Sequence, residues 1–277
     1  MRTVGLAAVM VAAAVLSAQP QSPAGSCMAV GRPQFLPAVP EASGIAQAGG
    51  ALWTHSDSDA PVLFRLDASG RATPVTVAGA AVQDWEDLGV ATSKGRESLY
   101  IADIGDNRGA RQHITIYVVP VPAQGTTSTA PAEAYHARYP DYPHDAEALL
   151  MTRQAGTFII TKEVPPRVYH FQTSLKPGET GALKLFQTLD EKVRITGAAA
   201  SPDGRWVALR SNGTLLVYKT DDFLKGGNRI RVDLAAFKEP QGEGVTFGTA
   251  GELYLVSEGN GKKASGMLTR IHCAFIQ

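Results

Sequence analysis

The sequence predicts an all-β protein folded as a single β-propeller of five blades. Three observations favour this fold. A short motif recurs five times, short strand-like runs follow each copy, and the last repeat lacks one strand. Repeats of about 40–50 residues with four short strands each are typical of propeller blades.

The recurring motif begins with an acidic or hydroxyl-bearing residue, continues with a small or acidic one, and leads into an apolar strand. Its five copies start at Ser43, Glu86, Glu147, Thr196 and Glu243. The intervals between these starts are 43, 61, 49 and 47 residues, which fits one blade per interval. The long second interval contains a Pro-, Thr- and Ser-rich stretch at 120–131 that is typical of a loop insertion.

Each motif is followed by runs that have the composition of strands. In the first repeat these are Leu52–His55 and Val62–Leu66, rich in apolar and aromatic residues and bounded by turn-forming ones. A weaker fourth run occurs in most repeats, for example at 73–77 and 183–188. Helical patterns are almost lacking, and only 233–238 predicts a single helical turn.

The fifth repeat has room for only three strands. The extended segment Gln34–Val39 precedes the first repeat and can supply the missing strand, which would close the ring and cover an open sheet edge. The chain has two cysteines, Cys27 and Cys273, and a disulfide between them would lock the same seam. The alternative for Cys27 is lipidation, but the apolar run ends well before it.

The N-terminal residues have the pattern of an export signal. Arg2 precedes an apolar run from Val4 to Leu16, and small residues follow. We therefore expect a signal peptide at 1–18, a flexible leader at 19–32 and a propeller domain at 33–277. The expected location is periplasmic or secreted, and the apolar run is too short for a span of about 20 residues. The alternative is an uncleaved anchor.

The charge balance gives no indication of a polyanionic partner. Lys and Arg together number 26, as do Asp and Glu. Proteins that bind nucleic acid usually carry a basic face, so we expect no nucleic-acid partner. The remaining partners are a small molecule or a protein of the cell envelope.

One segment carries a resemblance to known families. Ser201-Pro202-Asp203-Gly204 resembles the hairpin of TolB-type and WD-like propellers. Over about residues 33–277, the motif starts and the second strands that follow them resemble calcium-associated bacterial propellers: the SdiA-regulated family, the esterase-like phytase family and the gluconolactonase type. That resemblance implies an exported propeller with a calcium site, and six blades would be the alternative to five because those families commonly have six.

The five motif starts predict a site at the propeller axis. The first strand of a blade is innermost, so equivalent positions of successive blades form a ring. Glutamates at three of these positions would repel one another, and oxygen donors are what Ca²⁺ prefers. We therefore expect a divalent cation, with Ca²⁺ favoured, bound by Glu86, Glu147, Glu243, Ser43 and Thr196. The alternative is that the glutamates pair with Lys162 and Arg210.

Two classes of function remain open. The first is a binding or scaffold module of the cell envelope. The second is a metal-dependent hydrolase of the lactonase or phosphoesterase kind, for which His55 and His144 are the candidate bases. The loop Asp103–Asn107 could bind a cation or sugar, or form a structural turn of the kind that Asp and Asn favour. We favour the binding function, because the sequence shows no complete catalytic set.

Overall fold

The computed structural model describes residues 26–57, 60–172, 174–249, 251–261 and 264–276. These residues form five sheets, each of four or five strands, arranged as five propeller blades. Two short strands, β1 (Met28–Ala29) and β2 (Gln34–Leu36), precede the first blade. The predicted signal peptide at 1–18 lies outside the described residues.

The first two blades follow in chain order. Blade 1 consists of β3 (Ala42–Ala48), β4 (Ala51–Ser56), β5 (Val62–Leu66) and β6 (Ala72–Thr76). Blade 2 consists of β7 (Trp85–Ser93), β8 (Arg96–Asp103), β9 (Ile114–Pro120) and β10 (Glu133–Arg138). Both are antiparallel meanders, as the alternation of short apolar runs and turns predicts.

The other three blades repeat this pattern. Blade 3 consists of β11 (Ala146–Thr152), β12 (Gly156–Thr161), β13 (Arg167–Phe171) and β15 (Lys184–Thr188), while β14 (Thr180–Ala182) pairs with β10 of blade 2. Blade 4 consists of β16 (Gly197–Ala200), β17 (Trp206–Arg210), β18 (Thr214–Lys219) and β19 (Arg229–Asp233). Blade 5 consists of β20 (Gln241–Phe247), β21 (Glu252–Glu258) and β22 (Gly266–His272), completed by β1 and β2.

Helical structure is short and peripheral. The six-residue helix α1 (Thr220–Lys225) follows β18, and Gly226 ends it in the left-handed conformation with φ of 67°. A single 3₁₀ turn at Ala235–Phe237 confirms the helical turn predicted at 233–238. The helix α1 was not predicted. Within the described part of the chain, no helix is long and apolar enough to cross a membrane.

Apolar side chains fill the wedges between neighbouring blades. Between blades 1 and 2, Trp53 and Trp85 are almost completely buried together with Leu63 and Leu99. Equivalent clusters fill the spaces between the other neighbours. The innermost strands are β3, β7, β11, β16 and β20, and each contacts the next one around the ring. The five predicted repeats are therefore the five blades.

The N-terminal strands close the ring as predicted. Gln34 pairs with Leu268 in an antiparallel register between β2 and β22, and Met28 pairs with His272 between β1 and β22. A disulfide joins Cys27 to Cys273 beside these strands, which confirms the predicted bridge. The last residues of the predicted leader at 19–32 thus belong to blade 5. The disulfide uses the Cys27 sulfur, which the alternative of lipidation would also require.

Candidate functional site

The five motif starts lie where the innermost strands begin, at one end of the propeller that we call the upper mouth. In blades 1, 2, 3 and 5 the pairing register shifts at this point, so an extra residue sits in the inner strand. The shifts fall between Ala42 and Ile45, Trp85 and Asp87, Ala146 and Ala148, and Gly242 and Val245. Such bulges redirect side chains and are common beside functional sites.

The two hydroxyl-bearing positions connect neighbouring blades. The Ser43 hydroxyl donates to the backbone carbonyl of Glu86 at 2.7 Å, joining blade 1 to blade 2. The Thr196 hydroxyl donates to the carbonyls of Gly242 and Glu243 at 2.9 and 3.1 Å, joining blade 4 to blade 5. Both side chains therefore bind backbone in the structure, whereas the sequence analysis expected them to act as cation ligands.

A lysine lies among the glutamates of the ring. Lys162 follows β12 directly, and its ammonium group forms an ion pair with Glu147 Oε1. The other carboxylate oxygen, Oε2 of Glu147, is buried and has no hydrogen-bond partner. The Lys162 charge also opposes the rise in the pKa values of Glu86 and Glu243, so this ammonium group acts on all three ring glutamates.

The upper mouth contains many more carboxylates than cationic groups. We call the following set, with Lys162 among them, the acidic mouth: Asp57, Asp84, Glu86, Asp145, Glu147, Glu243 and Glu258. Burial raises the pKa of Glu243 to about 7 and that of Glu258 to about 7, and nearby carboxylates add to the rise for Glu258. Burial also raises the pKa of Glu86 well above its usual range, with Asp84 as the next cause.

The loop after β8 packs directly against these carboxylates. A Cβ at Gly105 would lie 2.2 Å from Glu86 Oε1 and 2.5 Å from Asp84 Oδ2, so a larger residue here would displace these carboxylates. The neighbouring Asp103 carboxylate accepts hydrogen bonds from the backbone N–H groups of residues 83 and 84 and forms an ion pair with Arg111. The Asp106 carboxylate accepts the N–H groups of residues 110 and 111. These contacts are those of a structural turn.

Arg210 forms its ion pair with a glutamate outside the ring. Its guanidinium is completely buried, forms an ion pair with Glu239 at 2.5 Å, and donates to the carbonyls of Gly244 and Val256, each at 2.7 Å. Its charge also opposes the burial-driven rise in the pKa of Glu243, and only the hydrogen bond from Gln241 opposes that rise more strongly. Of the two cations considered as partners for the glutamates, Lys162 is thus the one in direct contact.

The donor chemistry of the acidic mouth suits a hard cation, but its side chains are not arranged as a finished metal site. Among the residues that the structure describes, no group of three or more His, Cys, Asp or Glu side chains is placed to hold one ion. Among the fully buried carboxylate oxygens described at this mouth, Glu147 Oε2 has no hydrogen-bond partner. A cation would therefore have to draw the carboxylates together.

The two candidate histidines lie in different surroundings. His55 is completely buried, its Nε2 lies 3.3 Å from the N–H of Gly44, and its Nδ1 lies 2.9 Å from the carbonyl of Ser56. Burial lowers the pKa of His55 to about 4, so the ring is neutral near pH 7. Both nitrogens thus contact backbone groups of blade 1.

His144 lies in a polar cluster between blades 2 and 3. Its Nε2 is 2.9 Å from Asp141 Oδ1 and 2.9 Å from the Tyr169 hydroxyl, and its Nδ1 is 2.5 Å from Glu163 Oε1. Arg167 bonds the same two carboxylates. The side chain is buried, and both ring nitrogens have carboxylate partners within the protein.

The sequence analysis did not single out Asp57 and Glu258 as members of the acidic mouth. A signal for them exists, because Ser56, Thr161 and Ser257 pair with the residue just before the bulge of their blades. The next residues along the chain are Asp57, Lys162 and Glu258, which occupy equivalent places. Charged side chains at the ends of the second strands of blades 1, 3 and 5 therefore accompany the predicted ring.

Comparison with known proteins supports the fold and nothing finer. No family model matches the chain, and no curated protein matches it. Among solved structures, a PQQ-bound aldose sugar dehydrogenase from Streptomyces coelicolor aligns with a TM-score of 0.50 and 11% identity, over 89% of this chain and 97% of that one. A gluconolactonase from Xanthomonas campestris aligns with a TM-score of 0.47 and 16% identity, over 83% and 72%. At 11% identity, the first of these alignments shows a similar fold and says nothing about activity.

Proposed function

We propose that this propeller is an exported binding protein of the cell envelope whose acidic mouth takes up a divalent cation, with Ca²⁺ the first candidate. The observation that carries the proposal is the concentration of buried carboxylates around Lys162, with Glu147 Oε2 left without a partner. Close, buried carboxylates repel one another, so a divalent ion that neutralises them would stabilise the folded chain. The N-terminal export pattern and the disulfide support the envelope location.

Binding is favoured over hydrolysis by the placement of the two histidines. A general base must have a lone pair free for the proton that it takes. His55 has backbone groups at both nitrogens, and His144 has carboxylates at both. The expected donors are the carboxylates of Glu86, Glu147 and Glu243, because the hydroxyl groups of the ring are bonded to carbonyl oxygens.

The test is the thermal stability of the purified chain in Ca²⁺, in Mg²⁺ and in chelator. At a free concentration 100-fold above the dissociation constant, a ligand adds about 2.7 kcal/mol to the free energy of unfolding. For a chain of this size that is a rise in Tm of roughly 5–10 °C. The variant Glu147→Gln removes the negative charge and replaces one carboxylate oxygen with an amide nitrogen, and should reduce the rise, whereas Glu179→Gln, at an exposed position, should not.

A second variant separates a cation site from a closed ion-pair network. Lys162→Gln removes the built-in ammonium group and should lower Tm in chelator while enlarging the response to Ca²⁺. If Tm is the same with Ca²⁺, Mg²⁺ and chelator in both the native chain and Lys162→Gln, the acidic mouth binds no divalent cation and the proposal fails.

A further inference from the structure

A large cavity opens at the opposite end of the propeller, which we call the lower mouth. Its volume is about 980 Å³, within the range of pockets that enclose small organic ligands. The cavity is lined by the last residues of the innermost strands or the residues just beyond them, including Gln47, Thr92, Thr152, Ser201 and Thr246. It therefore lies at the end of the channel away from the motif starts.

A buried carboxylate separates this cavity from the acidic mouth. The inner end of the cavity is formed by Leu88, Leu149 and Ala198. The backbone N–H groups of these three residues donate to the Asp87 carboxylate, at 2.8, 2.9 and 3.2 Å. Asp87 is completely buried, and the described residues that line the cavity include none of the carboxylates of the acidic mouth. The two mouths are thus separate chambers.

The cavity extends sideways to the edge of the apolar cluster between blades 2 and 3. Its walls there are aromatic and aliphatic: Tyr100, Ile116, Val118 and Tyr135 on one side, and Phe171 on the other. Ile116, Val118 and Phe171 are buried, while the two tyrosines are half-buried. Such walls match the flat apolar face of a ring system.

The charged residues at the lower mouth lie at its exposed rim and balance one another in sign. Lys94 forms an ion pair with Glu133, and Glu97 accepts the backbone N–H of Gly49 at 2.7 Å. Arg153 is exposed to solvent at the rim. The polar groups that remain along the wall are uncharged hydroxyls and amides, such as those of Gln47 and Thr246, which can bind the polar edge of a ligand.

We propose that the lower mouth is a second binding site, for a neutral small organic molecule that has an apolar ring system and a hydrogen-bonding edge. The apolar inner end and the aromatic wall hold the ring system, and the hydroxyls and amides of the wall hold the polar edge. The site does not depend on a cation at the acidic mouth, because Asp87 and the strand layer separate the two chambers.

The test uses the neutral apolar dye N-phenyl-1-naphthylamine and the intact protein. We expect saturable fluorescence enhancement at one site, with a dissociation constant in the micromolar range. Ala200→Phe places a ring in the cavity and should weaken binding by roughly tenfold or more, since a filled cavity has no room for the dye. The matched control Ala110→Phe, at an exposed position in the loop after β8, should leave binding unchanged.

A second variant covers the case in which Ala200→Phe does not fold. Thr249→Trp changes an exposed turn residue at the rim and should also weaken dye binding. Addition of Ca²⁺ or chelator should leave the dissociation constant of the dye unchanged, which separates this site from the acidic mouth. The proposal is overturned if the folded protein does not bind the dye saturably, or if Thr249→Trp and a folded Ala200→Phe both bind it as the native chain does.

Discussion

The upper and lower mouths are built from the same five innermost strands, yet their chemistry is opposite. At the start of the strands lie the acidic and hydroxyl-bearing motif residues, in bulged segments with buried carboxylates. Toward their ends lie small, apolar and hydroxyl-bearing residues around an open cavity. A propeller can therefore carry two independent sites on one set of strands.

The difference comes from backbone regularity as well as from residue type. In a regular strand, side chains alternate between the two faces, so each inner strand packs them against its two neighbouring blades. A bulge adds one residue and changes this alternation, which lets a glutamate be placed at the channel mouth. The regular ends of the same strands leave short side chains around a space that no residue of the described chain fills.

One residue maintains the separation between the two mouths. The motif's second position is small in four blades, namely Gly44, Ala148, Gly197 and Gly244, and is Asp87 in blade 2. A Cβ at Gly44 would lie only 2.7 Å from Asp87 Cα. The small residues therefore allow the backbones of neighbouring inner strands to approach closely, and the Asp87 side chain bonds N–H groups of three of these strands.

The largest effect should come from Asp87→Ala. The change leaves the buried N–H groups of Leu88, Leu149 and Ala198 without their acceptor, at a cost of about 1–3 kcal/mol each where water does not replace it. We expect the free energy of unfolding to fall by about 3–5 kcal/mol in urea titrations.

The near-isosteric Asp87→Asn serves as the control for that experiment. It keeps one acceptor oxygen, so its free energy of unfolding should fall by less than that of Asp87→Ala. Equal stability of Asp87→Ala and the native chain would show that the three inner strands do not depend on this carboxylate. In that case the Asp87 carboxylate would not be what holds the inner strands together between the two mouths.

The fold could be predicted because each blade repeats one pattern. Five motif starts gave the innermost strands, the short fifth repeat gave the closing strand, and the two cysteines gave the bridge at Cys27 and Cys273. The exchange of β14 onto β10 of blade 2 could not be predicted, since it depends on how an outer edge packs after the blade has formed.

The site could be predicted only at the level of residue position. The sequence identified Glu86, Glu147 and Glu243 as one ring, because equivalent places in a propeller come together. It did not give the direction of the Ser43 hydroxyl, which is set by the local geometry of a bulge. The lower cavity also carries no motif, because it arises from short side chains in strands of unequal length.

An intermediate effect should appear in the pH dependence of stability. Burial raises the pKa of Glu243 from 4.5 to about 7 in the folded state. Between these values the folded chain holds a proton that the unfolded chain has released, so the free energy of unfolding decreases as pH rises. This contribution is fully present below about pH 4.5 and is lost as pH rises through about 7, with an upper limit of about 3 kcal/mol.

Urea titrations in chelator at pH 5, 6, 7 and 8 measure this slope. Glu243→Gln should flatten it, because the amide does not titrate, whereas Glu179→Gln at an exposed position should leave it unchanged. Saturating Ca²⁺ should also reduce the loss at high pH if it neutralises the ionised carboxylates. A stability that rises with pH over this range in the native chain would contradict the buried, mutually repelling arrangement of the acidic mouth.

The smallest effect on stability should come from Ser43→Ala. This variant tests whether the hydroxyls of the ring bind a cation or connect neighbouring blades. In the structure the Ser43 hydroxyl donates to the Glu86 carbonyl at 2.7 Å, in a buried position. Loss of that bond should lower the free energy of unfolding by about 1 kcal/mol. The rise in Tm with Ca²⁺ should stay as in the native chain, because the oxygen is not a ligand in this arrangement.

Thr196→Val should behave in the same way, since Thr196 joins blades 4 and 5 by the same kind of bond. If either variant loses the Ca²⁺ response while keeping its stability in chelator, the hydroxyl turns toward the cation and the upper mouth rearranges on binding.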